Sequence, residues 1–193
     1  MSYAIPTNEL TLTDIKSFKT GAIEAGILRA LALGLARTRE ELVVREAHPN
    51  TDFGTPVGTN GWTNEYYVTA GGIGALIWAG VFDVSTAVAV FPPQLARTAV
   101  AVFYKIMNAA AEPVVTAVRF RVGTTGATTK ASFMLQQFID IKLEPEVWLS
   151  EPVVYDPEDW LFIQMYCRAN TAEDGEELSF GVFIVERTGG TIS

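Results

Sequence analysis

Between residues 21 and 39, Ile23, Ile27, Leu28, Leu31 and Leu35 fall on one broad face at helical spacing. Ala22, Ala25, Ala30, Ala32 and Ala36 occupy much of the remainder, and the only charges before the end of the run are Glu24 and Arg29. Thr13 followed by Asp14 marks a helix start, because a hydroxyl accepts the free N–H groups there and an acid suits the positive end of the dipole. Gly21, Gly26 and Gly34 weaken the segment as an isolated helix, so packing must supply its stability. A helix apolar nearly all round needs cover on several sides. The body of its own domain, another subunit or a membrane surface supplies that cover, although the segment lacks the basic polar face of an interfacial helix. In the second case Ile23, Ile27, Leu28, Leu31 and Leu35 form a subunit interface.

From about Glu40 the period changes to two. Thr116, Val118, Phe120 and Val122 alternate with Ala117, Arg119 and Arg121, as in a strand with one dry and one wet face. Gly123-Thr124-Thr125-Gly126 reads as a turn. Phe133, Leu135, Gln137, Ile139 and Ile141 then alternate with Met134, Gln136, Phe138, Asp140 and Lys142, which predicts a hairpin. Residues 147–155 are β-rich and interrupted by Pro152, and Asp156-Pro157-Glu158-Asp159 is a turn. Residues 160–167 are apolar on both faces except Gln164, as in a central strand, and Leu178, Phe180, Val182 and Ile184 form one face of a last strand. Residues 40–47, 62–69, 73–83, 86–91 and 98–107 are further strand candidates. Eight to ten short strands without intervening helices predict a mainly β chain: a jelly-roll-like antiparallel β-sandwich (residues 40–193) behind an N-terminal arm and helix (residues 1–39). An immunoglobulin-like sandwich is the main rival.

Composition narrows the function. Half of the 193 residues are hydrophobic, which suffices for a substantial core, and the net charge of −8 opposes nonspecific binding to phosphate backbones. No direct nucleic-acid contact is therefore expected. Residues 1–12 lack a charged start followed by an apolar run, so secretion by a signal peptide is not expected. Nor is a membrane span, since no run of 18 apolar residues occurs without charge. With a single cysteine, Cys167, no internal disulfide can form.

Catalytic chemistry finds little support. His48 is the only histidine, which excludes metal sites built from several imidazoles and confines any Ser–His or Cys–His arrangement to one position. Gly71-Gly72-Ile73-Gly74-Ala75 lacks the Lys-Ser/Thr ending of a phosphate loop. Two acidic clusters remain: Asp156, Glu158 and Asp159, and Glu173, Asp174, Glu176 and Glu177. Either can be a solvated turn; paired carboxylates or a calcium loop are the chemical alternatives, although the spacing is not that of an EF-hand. Trp148 and Trp160 lie in apolar strand patterns, whereas Trp62, after Asn60-Gly61, is the candidate for an exposed, ligand-contacting aromatic. No enzyme activity, cofactor or metal is expected.

Three function classes follow: a structural assembly subunit, a carbohydrate- or receptor-binding sandwich, and an enzyme using acids alone. The run Glu151-Pro152-Val153-Val154-Tyr155-Asp156-Pro157-Glu158-Asp159-Trp160-Leu161-Phe162-Ile163-Gln164-Met165-Tyr166, followed by residues 178–187, resembles structural proteins of tailed phages and of icosahedral viruses with single jelly-roll subunits. The resemblance covers residues 60–193 in style and transfers no functional residue. It implies a capsid or capsid-decorating role in a virion assembled in the host cytoplasm, with copies of the chain and other virion proteins as partners. The acidic charge departs from what a genome-lining subunit needs and points to an outer-shell or decorating position.

Overall fold

The computed structural model describes residues 3–47, 65–68, 76–79, 95–108, 113, 115–123, 128–135, 146–167 and 176–188. The chain is mainly β, with two antiparallel sheets and one long helix. The strands are β1 (Ala4–Pro6), β2 (Leu42–Glu46), β3 (Glu65–Val68), β4 (Leu76–Ala79), β5 (Ala99–Asn108), β6 (Val115–Val122), β7 (Thr128–Met134), β8 (Glu146–Tyr155), β9 (Phe162–Cys167) and β10 (Glu176–Arg187). The helix, α1, spans Leu12–Ala32. The first sheet runs β1-β8-β5-β10-β2, with β3 also pairing β10; the second runs β4-β9-β6-β7. Pairs nest around the β6–β7 hairpin: β5 with β8, β4 with β9, and β3 with β10, alternating between the sheets.

The helix starts earlier and ends earlier than the periodicity suggests. Thr11 caps it: the Thr11 hydroxyl accepts from the Asp14 N–H, and the Asp14 carboxylate accepts from the Thr11 N–H at 2.9 Å. At the other end Gly34 adopts φ 73°, the Gly34 N–H reaches Leu31 O, and the Leu35 N–H reaches Ala30 O. These two bonds make a Schellman stop, so Leu35 and Ala36 lie beyond the helix. The Ala-rich composition continued past the stop; the left-handed glycine ended it.

A dry core fills the space between the sheets. Phe103, Ile106, Leu149 and Tyr155 from the first sheet meet Val118, Phe120, Phe133 and Ile163 from the second. Phe103 sits edge-on to Phe120 (5.2 Å), Tyr155 (5.5 Å) and Phe180 (5.9 Å). The buried Tyr155 hydroxyl donates to Arg121 O at 2.9 Å and so ties β8 to β6.

The opposite face of the first sheet is also dry, because α1 lies on it. Ala22, Ile27 and Ala30 cover Val100, Val102, Tyr104, Trp148, Phe183 and Val185. Strand β5 is therefore buried on both faces and reads as a nearly continuous apolar run. Tyr104 is an extra residue between Phe103, opposite Val182, and Lys105, opposite Gly181. This bulge inverts the alternation, so Phe103 and Ile106 both face the inter-sheet core. The Tyr104 ring lies over Gly181, where a Cβ would come within 2.8 Å of it, and stacks on Phe183 at 4.6 Å. Burial, with Glu46 and Glu146 nearby, pushes the Tyr104 phenol up to about 12.

Two strand expectations needed adjusting. Partner strand β7 begins at Thr128, directly opposite Val122, rather than near Phe133. Pairing resumes as soon as the turn closes, so the polar Thr128, Thr129 and Lys130 form the exposed start of an edge strand. Pro152 does not break β8. It lies between the pairs Lys105–Trp148 and Phe103–Val153, where β8 has more residues than β5 and a missing N–H costs no ladder bond. The candidate strand at residues 86–91 lies outside the described residues.

Candidate interaction surface

The five helix residues assigned to a subunit interface divide. Ile27 is buried, and Ile23, Leu31 and Leu35 pack around it on the chain's own sheet. The area of these four that packs there is covered within the chain. Leu28, 63% exposed, points away. Trp62 and His48 lie outside the described residues, as do Gly71-Gly72-Ile73-Gly74-Ala75, Glu173 and Asp174. Glu176 and Glu177 open β10, and Cys167 ends β9. Trp148 is buried under the helix and donates its indole N–H to the Thr7 hydroxyl at 3.1 Å.

The acidic turn between β8 and β9 is occupied by cations from three directions. Arg29 of α1 grips Asp156 with two nitrogens, at 2.7 and 2.5 Å. Arg97, before β5, reaches Glu158 at 2.8 Å, and Lys130 of β7 reaches Asp159 at 3.2 Å while lying 5.1 Å from the Tyr155 ring centroid. The turn closes through the Asp159 N–H to Asp156 O, and the Asp156 N–H to the Asp159 carboxylate. Leu95 adds two backbone bonds, to Asp159 O and from the Glu158 N–H. Thus one turn ties the helix, the first sheet and the second sheet together. Among the described residues no group of three or more His, Cys, Asp or Glu is arranged to hold a metal.

Arginine 29 holds the Asp156 carboxyl below the usual carboxylate range, against some burial. A depressed folded-state pKa contributes stability that is complete above the unfolded value and is lost as pH falls through the folded one. The pair is partly exposed, so its worth is at most about 1 kcal/mol. Asp156→Asn is expected to lower Tm modestly at pH 7, and the gap from the parent should close as pH falls through the lowered folded-state pKa of Asp156. A gap that stays constant across that range would remove the ion pair as its cause. Glu158 occupies φ 63°, which suits glycine, and its partner Arg97 is 85% exposed. Glu158→Gly should therefore hold Tm or raise stability by about 0.5–1 kcal/mol; a clear fall in Tm would assign more weight to the side chain.

The outward face of the second sheet differs from the rest of the molecule. Its strands contain no acidic residue but carry Arg119, Arg121 and Lys130, in a chain of net charge −8. By contrast, the first sheet's strands hold Glu46, Glu65, Glu146, Glu151, Glu176, Glu177 and Glu186. Arg121 donates to the buried Gln164 at 3.1 Å and Lys130 serves Asp159, whereas Arg119 is exposed and has no ion pair among the described residues. One row along, Ala117 lies between Met134 on β7 and Tyr166 on β9. Met134 is 67% and Tyr166 43% exposed. A small residue between two large exposed ones leaves a notch whose walls, two strands apart, stand about 10 Å from each other. Ser132 and Gln164 flank Arg119 in the adjacent row.

Sequence patterning assigned Arg119 and Met134 to wet faces but treated them as ordinary solvent-facing positions, and it read Tyr166 as part of a strand buried on both sides. Only cross-strand register brings the three together. Comparison with known proteins finds no matching family model, no similar curated protein and no matching solved structure. The fold defines the class: a two-sheet antiparallel β-sandwich with one packed N-terminal helix. Among the described residues, no helix is long and apolar enough to cross a membrane.

Proposed function

We propose that the chain is a structural subunit of a symmetric assembly, a virion capsid or capsid-decorating protein that acts by self-association and without catalysis. The observation that carries this reading is the nested pairing of β3–β10, β4–β9, β5–β8 and β6–β7, alternating between two sheets. That order fits the rolling-up of a long antiparallel ribbon and so supports a jelly-roll reading. The β8–β9 ion-pair turn and the helix-covered sheet supply rigidity, which a lattice subunit needs. The acidic charge favours the outer shell or a decorating position over genome contact. Other virion proteins are additional partners on this reading.

Light scattering and electron microscopy of the purified full chain test it. Trimers, larger closed species or particles are the expected result; a monomer at every accessible concentration would overturn the reading. The exposed Tyr166 on a sheet face gives the second reading, a carbohydrate- or receptor-binding module, its specific support. Under that reading a monomer would shift its tryptophan fluorescence on a glycan panel.

A further inference from the structure

We infer that the notch formed by Met134, Ala117 and Tyr166, together with Arg119, is the docking surface for a second copy of this chain, and that the copies meet head to tail. This inference rests on the assembly reading and names the face it uses. The surface has the composition of an interface centre: an aromatic, a methionine and an arginine, on a sheet whose described strands hold no acid. Tyr166 and Met134 present apolar area on a rigid sheet, where contact freezes little additional chain entropy. Arg119, without an ion pair among the described residues, determines the kind of partner.

A polyanion is tracked by a row of free cations, and here Arg121 and Lys130 are engaged within the chain. One free arginine beside an apolar notch instead suits a protein surface that offers a carboxylate. The same chain provides such a surface: Glu46, at the β2 edge of the first sheet, is exposed and has no ion pair among the described residues. A two-fold contact between two copies of the second sheet would set Arg119 near Arg119, whereas a head-to-tail contact joins the acid-free sheet to the acid-bearing side. Heterologous contacts of this kind close into rings and shells when the rotation permits.

Sedimentation velocity on the full chain, over a concentration series at low and moderate salt, provides the test. Arg119→Glu and, independently, Met134→Ser are expected to weaken association about tenfold or more, as loss of interface-centre residues does. Both positions are exposed, and unchanged Tm values would show that the fold survives. Added salt should weaken the parent more than Arg119→Glu. A monomeric parent would overturn the assembly reading and this inference together. An associating parent matched by both Arg119→Glu and Met134→Ser would overturn this inference alone. Retention of a monomeric parent on heparin, abolished by Arg119→Glu, would assign the face to a polyanion instead.

Discussion

Removing residues 1–39 is expected to give an aggregating or molten chain, not a free-standing sandwich. The deleted segment contains β1, which pairs with β8, and α1, which covers Val100, Val102, Tyr104, Trp148, Phe183 and Val185. Exposing each large side chain costs about 1.5–3 kcal/mol, and the six together cost roughly 9–18 kcal/mol. That is comparable with the whole stability of a typical domain, about 5–15 kcal/mol. Trp148 would also lose its hydrogen bond to Thr7 and its contact with Phe18. Loss of a cooperative thermal transition, with binding of a hydrophobic dye, is the expected readout. A soluble fragment of residues 40–193 melting within a few degrees of the parent would show that the helix is dispensable. The consequence for function is direct: loss of assembly in this deletion would report loss of the fold. Point substitutions on the second sheet are the cleaner probes.

The second large effect is expected at Gly26. A Cβ built there would sit 2.7 Å from a Val185 methyl and 2.8 Å from a Val102 methyl. Both valines belong to central strands, so neither can move without disturbing the sheet. Gly26→Leu should cost about 3 kcal/mol or more, the upper end of overpacking penalties. For a chain of this length, that lowers Tm by roughly 6–12 °C. Gly26→Ala gains about 1 kcal/mol of helix propensity and still meets both methyls, so a smaller net loss is expected. Gly21 is the control: it lies in the same helix, is exposed, and has nothing within 4 Å of its added Cβ. Gly21→Ala should stabilise by about 0.5–1 kcal/mol. Urea unfolding of the three variants decides the matter. If Gly26→Ala and Gly21→Ala shift the midpoint equally upward, the close approach of helix to sheet is not what glycine serves.

Much of this fold was legible in the chain. Alternation in residues 116–122 and 178–184 foretold β6 and β10, and residues 98–107 were among the strand candidates. The helix was legible too, but its ends were set by a capping box at Thr11 and a left-handed Gly34 rather than by periodicity. The surroundings of the candidate site were less legible. Asp156, Glu158 and Asp159 read as a free acidic cluster because their cations, Arg29, Arg97 and Lys130, are distant in sequence. The triad of Met134, Arg119 and Tyr166 was hidden for the same reason.

By itself the sequence determined the elements and the overall charge: period two or 3.6, turn residues between strands, a net charge of −8 and a single histidine. These properties are local or additive, so adjacent residues suffice to state them. Only the tertiary structure decided what covers the helix, which acids are paired, and which exposed side chains share a face. Each of these depends on register between strands far apart in the chain, where a slip of one residue would turn every side chain to the other side. The apolar face of α1 is thereby spent on the chain's own sheet, while the outward face of the second sheet keeps Met134, Arg119 and Tyr166 exposed.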